Sequence, residues 1–243
     1  MDDALSLNDY LPASFKTVSE QEYVRFLWDA FESNYTSGKY EFASLAFHLL
    51  YMSFVSFSIW QIRLAREQDF KHALVGFQTE AENKILTAAS PFKFYDKLKE
   101  SQIFRFLKII GCDNAQVGEF GKFVSRRNKI AHPSGSVFFN DQTALDDEIT
   151  LIMKEVENIQ GHMYPVIAEI YDSFLLEGAD LDNREYSIAS DEVTANLLHR
   201  YYLSAKDVRF CLSADLGKYT GQEFEAEIGE LHRALSEMYP VND

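Results

Sequence analysis

Several things are scarce in this chain of 243 residues, and each scarcity excludes a class of protein. There are two cysteines, Cys112 and Cys211, and no Cys-x-x-Cys pair, which excludes a disulfide framework and fits a reducing cytoplasm. Five prolines and eleven glycines are too few for the many turns of an all-β protein. The six histidines are dispersed, with no zinc spacing among His and Cys, and no Gly-rich phosphate loop is present. No metal and no cofactor is therefore expected. The start, Met1-Asp2-Asp3-Ala4-Leu5, lacks the basic residues and apolar run of a signal peptide. Basic residues are also scarce: 23 Lys and Arg against 38 Asp and Glu leave a net charge of −15, which argues against a general nucleic-acid coat.

What remains is rich in core formers, 47% hydrophobic and 14% aromatic, with apolar residues recurring at helical spacing. The expected class is all-α. Residues 1–18 read as a loosely attached leader, 19–176 as a helical bundle, and 184–243 as a C-terminal helical extension packed on it. Ser19-Glu20-Gln21-Glu22 reads as a capping box opening a helix to about Tyr35. Phe42 to Ile62 contains no charged residue and is long enough to cross a bilayer. Ser44, His48, Ser53, Ser56, Ser58 and Gln61 are scattered around that stretch, which favours a central bundle helix over a membrane span. His48 reads as a hydrogen-bonded core histidine. Ser90-Pro91 starts a further helix through Phe94 and Leu98 toward Ile110. A long helix is expected from about Gln142 to Leu176, bent or interrupted at Gly161 and Pro165. Gly178 to Asn183 reads as a linker, and helices at about 191–214 and 221–239 follow, the second capped by Thr220-x-x-Glu223.

Charge is uneven. From Lys99 to His132 seven Lys and Arg outnumber Glu100, Asp113 and Glu119, whereas Lys154 is the only Lys or Arg from Asp141 to Asp182. Within the basic strip lies Ser125-Arg126-Arg127-Asn128-Lys129-Ile130-Ala131-His132-Pro133. On a helical wheel Phe120, Phe123, Val124, Ile130 and Ala131 make one apolar stripe with Arg127 in its middle. A guanidinium on such a face costs several kcal/mol unless it is paired or serves a wet cleft. Pro133 disfavours helical geometry at His132, so the chain should leave the helix there, its imidazole turned back toward Arg127 and Asn128.

Arg127-Asn128-x-x-x-His132 resembles the Arg-polar-x-x-x-His signature of HEPN domains, helical bundles of which many are metal-independent endoribonucleases. Arg66 and His72 stand at a similar interval, but Glu67 follows that arginine in a charged stretch. The resemblance implies Arg127 and His132 as the catalytic pair, Asn128 as the residue aligning them, and a homodimer with two motifs facing across one cleft. Ser134 stands where some HEPN toxins carry a tyrosine that a nucleotidyltransferase modifies, which removes the target of that control. Prokaryotic members act as toxins or in defence against phage, so an antitoxin, inhibitor or sensor protein is an implied partner.

The residue types suit metal-free chemistry on RNA. RNA carries its own nucleophile, the 2′-hydroxyl. An imidazole, ordinarily titrating at about pH 6.5, can take that proton or give one to the leaving 5′-oxygen. A guanidinium fork suits the oxyanion of five-coordinate phosphorus. His132 is thus the candidate acid or base and Arg127 the clamp, with Arg126, Lys129 and Ser134 as candidates for substrate contact in a single-stranded or loop RNA. Simpler roles compete: Arg127 as a tie to a carboxylate such as Glu41, and His132 as a helix cap. The competing function is a non-catalytic module that binds a nucleotide or partner protein and regulates it.

Overall fold

The computed structural model describes residues 1–132, 141–182 and 184–240. Among these the chain is helical, with no strand and a single isolated bridge between Pro12 and Ser204. The helices are α1 (Asp2–Leu5), α2 (Val18–Thr36), α3 (Tyr40–Ala65), α4 (Glu67–Ala73), α5 (Thr79–Leu86), α6 (Glu100–Ile103), α7 (Asn114–Ala131), α8 (Gln142–Ala179), α9 (Ala189–Glu192), α10 (Ala205–Leu212) and α11 (Glu225–Met238). Two compact units are present, Met1–Asn8 with Thr17–Met163, and Asp9–Lys16 with Tyr164–Asp243.

The first unit is built on α3. It packs most extensively on α2 and also meets α4, α6, α7 and the 3-10 turns Pro91–Asp96 and Phe104–Ile110. Nineteen of its 26 residues are buried, far more than the single stripe of an amphipathic helix. The helix is long and apolar enough to cross a membrane, yet 83% of its most apolar window is already covered by protein. Its polar residues are covered, as in a central bundle helix: Ser44, His48, Ser53, Ser56, Ser58 and Gln61 are all buried. Ser53, Ser56 and Ser58 donate to their own helix at Leu49, Met52 and Phe54 carbonyls, 2.8 to 3.1 Å away, so no polar hydrogen is stranded there. Phe47 meets Phe31 of α2 at 5.3 Å between ring centroids, and Tyr51 meets Phe104 at 6.2 Å and Phe123 of α7 at 5.8 Å.

Several local expectations need correction. The leader is not loose: Ala4 and Leu7 are fully buried, Thr150 Oγ1 donates to Asp3 at 2.8 Å, and Ala13 N donates to Leu203 O at 2.9 Å. The cap of α2 is Thr17, two residues before Ser19, and its hydroxyl accepts from Glu20 N at 3.3 Å. From Ser90 to Ile110 there is no continuous helix, because Lys99 is extended and its N–H is taken by the Gln102 side chain at 2.9 Å. In contrast, α8 runs unbroken through Gly161 and Pro165. Ile159, Met163, Val166 and Ile167 are almost wholly buried around the proline, and that packing holds the turn whose hydrogen bond is missing.

In the second unit the expected 191–214 helix is divided. A π-helical stretch Val193–His199 follows α9, and Tyr202 takes a positive φ of 52° before Ser204 caps α10. Thr220 does not cap α11, which starts at Glu225 with no side-chain cap; Glu225 instead reaches back to accept from Gly221 N at 2.6 Å.

Candidate functional site

The motif helix α7 is set by its start. Gly111 takes φ 91°, a left-handed turn favoured by glycine, and Asp113 and Gln116 exchange side chain for backbone hydrogen bonds at 2.8 Å. Gln116 Nε2 also meets His162 Nε2 at 3.1 Å, while His162 Nδ1 lies 3.2 Å from Ile110 O. The carbonyl needs a proton on Nδ1, so Nε2 accepts from the amide. Phe120, Phe123 and Val124 then bury one face of the helix. The stripe does not continue to the end as expected: Ile130 is half-buried and Ala131 exposed. The last turn therefore stands clear of the core and carries the motif.

Arg127 and Asn128 line an open cavity of about 560 Å³, together with Tyr23 of α2, Leu49, Met52 and Ser53 of α3, and Phe92, Tyr95, Lys99 and Glu100. Arg127 Nη2 is ion-paired with Glu100 Oε1, and His48 Nε2 lies 3.0 Å from Glu100 Oε2. Burial pushes the Glu100 carboxyl up, but the His48 and Arg127 hydrogen bonds and charges outweigh it and hold it down to about 2. Glu100 is thus ionised, and a carboxylate can only accept, so His48 carries a proton on Nε2. Arg127 Nε is buried without a hydrogen-bond partner. The carboxylate that ties Arg127 is Glu100, not Glu41.

A second carboxylate, this one buried, meets the basic end of α7. Glu148 of α8 is buried, accepts from Ser44 Oγ at 3.0 Å, and lies 3.5 Å from Arg126 Nη1. Burial raises its pKa, and the Ser44 and Arg126 contacts only partly offset that. The two acids differ because Glu100 has two close cationic or donor partners, whereas Arg126 is distant and 38% exposed. Such a carboxyl contributes stability below its unfolded pKa and loses it as pH rises through the higher folded value. Glu148→Gln keeps an acceptor for Ser44 and removes the charge, so it is expected to leave stability unchanged or raise it by up to about 1 kcal/mol at pH 7.5, the gain vanishing near pH 4. Urea midpoints at the two pH values check this; a loss above about 1 kcal/mol at pH 7.5 contradicts it.

His132 caps α7 with extended geometry, as its neighbour Pro133 requires, and its N–H donates to Asn128 O at 3.1 Å. It is exposed and is not among the residues lining the cavity. Five residues separate it from Arg127, an axial rise of about 7.5 Å. Lys129 is exposed, and Ser134 lies outside the described residues. The structure thus joins Arg127 and Asn128 with Glu100 and His48 and leaves His132 at the helix end. Arg66, of the competing interval, donates to Ile109 O at 3.0 Å.

Sequence reasoning passed over both Glu100 and Glu148 as partners of the basic strip. The available signal was on α3, where Ser44 and His48 stand one turn apart in a charge-free segment and predict polar partners. Among the described residues, no group of three or more His, Cys, Asp or Glu is placed to hold a metal ion. Compared with protein-family models, with curated proteins and with solved structures, the chain gives no match.

Proposed function

We propose that the chain is a metal-independent endoribonuclease of the HEPN type, acting as a homodimer on single-stranded or loop RNA. The observation that carries this reading is one helix end with two features: Arg127 on the wall of an open cavity, and an exposed His132 five residues on. The 2′-oxygen attacks phosphorus, the P–O5′ bond breaks, and the products are a 2′,3′-cyclic phosphate and a 5′-hydroxyl. His132 takes the 2′-proton or delivers one to the 5′-oxygen. Arg127 clamps the oxyanion, and one of its nitrogens meets Glu100, which braces the fork. The motif supplies one histidine per chain, so a second copy completes the acid–base pair. Arg126 and Lys129 are the flanking phosphate contacts.

By the same resemblance, the biological role is that of a cytoplasmic toxin or anti-phage effector, restrained by an antitoxin, inhibitor or sensor protein. The test is incubation of purified protein with RNA in excess chelator. Cleavage leaving cyclic phosphate and 5′-hydroxyl ends is expected; a divalent-ion requirement or 5′-phosphate ends would overturn the reading. One observation favours a second reading, a non-catalytic regulatory module: the Arg127–Glu100–His48 tie is complete without any substrate. Under it, RNA stays intact in that assay.

A further inference from the structure

The cavity beside Arg127 has a mixed lining, aromatic in part and polar in part. Tyr23, 39% exposed, is braced edge to face by Phe92 at 5.1 Å between ring centroids. Tyr95 has its hydroxyl donated to Met52 O at 2.9 Å, so it offers the cavity a ring rather than a donor. The polar part of the lining is Lys99, whose ammonium makes no ion pair among the described residues, Arg127, which is paired with the Glu100 carboxylate, and Asn128, whose amide has no hydrogen-bond partner there. An apolar ligand would leave that amide and those cations unused, and a bare anion would leave the aromatic wall unused. A nucleotide has a flat π-face, a hydrogen-bonding edge and an anionic group, and about 560 Å³ is within the usual range for a ligand of that size.

We propose that this cavity is a nucleobase pocket: one unpaired base lies flat on Tyr23, its edge meets the Asn128 amide, and its phosphate meets Lys99 and Arg127. The inference rests on the function proposed above only in using Arg127 as a phosphate-binding group; occupancy does not require cleavage. If cleavage occurs, the base held here selects the bond that is cut. The same nucleotide chemistry is offered by a free nucleoside monophosphate and by an unpaired residue of RNA.

Calorimetry on the full chain tests this with the four nucleoside 5′-monophosphates, inorganic phosphate, and a short RNA 2′-O-methylated throughout so that it cannot be cut. At least one nucleotide or the oligonucleotide is expected to bind tenfold or more tighter than inorganic phosphate. Tyr23→Ala is expected to weaken that binding about tenfold, with Tyr23→Phe retaining it. Ser101→Trp, placed on an exposed lining residue, should fill the opening and block binding without touching the core. Melting curves verify that each variant folds. Binding of the oligonucleotide alone identifies RNA as the source, and binding of the monophosphates alone identifies free nucleotide. Inorganic phosphate binding as tightly as every nucleotide, no binding at all, or folded Tyr23→Ala and Ser101→Trp variants that bind like the wild type would overturn the pocket. RNA cleavage without nucleotide binding sinks the pocket and spares the nuclease; nucleotide binding without RNA cleavage does the reverse.

Discussion

Replacing His132 with alanine is expected to lower RNA cleavage by about 10²–10⁴-fold, the usual worth of a positioned acid or base. The side chain is exposed and makes no hydrogen bond or ion pair among the described residues, so stability should stay within about 0.5 kcal/mol of the wild type. That combination separates chemistry from folding. A structural cap would give the opposite pattern, a small loss of stability with activity intact. Arg127 needs a subtler variant, because alanine would also strand Glu100. Arg127→Lys keeps a cation beside the carboxylate and removes the fork, and cleavage is expected to fall about 10²–10³-fold. Single-turnover rates measured beside melting curves check both. A His132→Ala protein that cuts as fast as wild type would assign any nuclease activity to another group or to a contaminant.

The second large effect is on stability. Glu100→Gln removes the charge shared by Arg127 and His48 and leaves both facing a neutral amide. Breaking a buried pair costs about 3–5 kcal/mol, but Arg127 is 27% exposed here, so about 2 kcal/mol is expected. For a chain of this length that lowers Tm by about 4–8 °C. Because the folded carboxyl is held down to about 2, its contribution is fully present above the unfolded pKa and is lost as pH falls through the folded value. The gap between wild type and Glu100→Gln should therefore be widest above about pH 5 and narrow steadily toward pH 3. Denaturant midpoints across that range read it directly; a gap that stays constant would mean the Glu100 charge is not what holds the site.

The parts of the fold legible in the sequence are those set by local chemistry. The charge-free run inside α3 is a matter of composition along one segment, and the Pro133 stop depends on adjacent residues. The errors lie where distant packing decides. Pro165 breaks an isolated helix, but the buried residues around it carry α8 through. Phe94 and Leu98 have helical spacing, yet the Lys99 turn divides the segment and so aims Glu100 at Arg127. The site shows the same division. Arg127 on an apolar stripe announces a paired or wet guanidinium, and the structure supplies both, an ion pair and a cavity. Which carboxylate pairs with it is a contact across 27 residues of chain, between α6 and α7, and no spacing rule encodes that. His48 was readable as a buried, bonded histidine; only the packing of α3 on α6 brings it to the same carboxylate.

The proposed reaction depends on the substrate's own 2′-oxygen, and a single chemical change addresses it. An RNA carrying one 2′-O-methyl group immediately 5′ of the preferred cleavage site should be incubated with the wild-type protein in chelator, beside its unmodified twin. The account predicts that the twin is cut and that the blocked linkage stays intact. Cleavage of the blocked linkage at a comparable rate would contradict it.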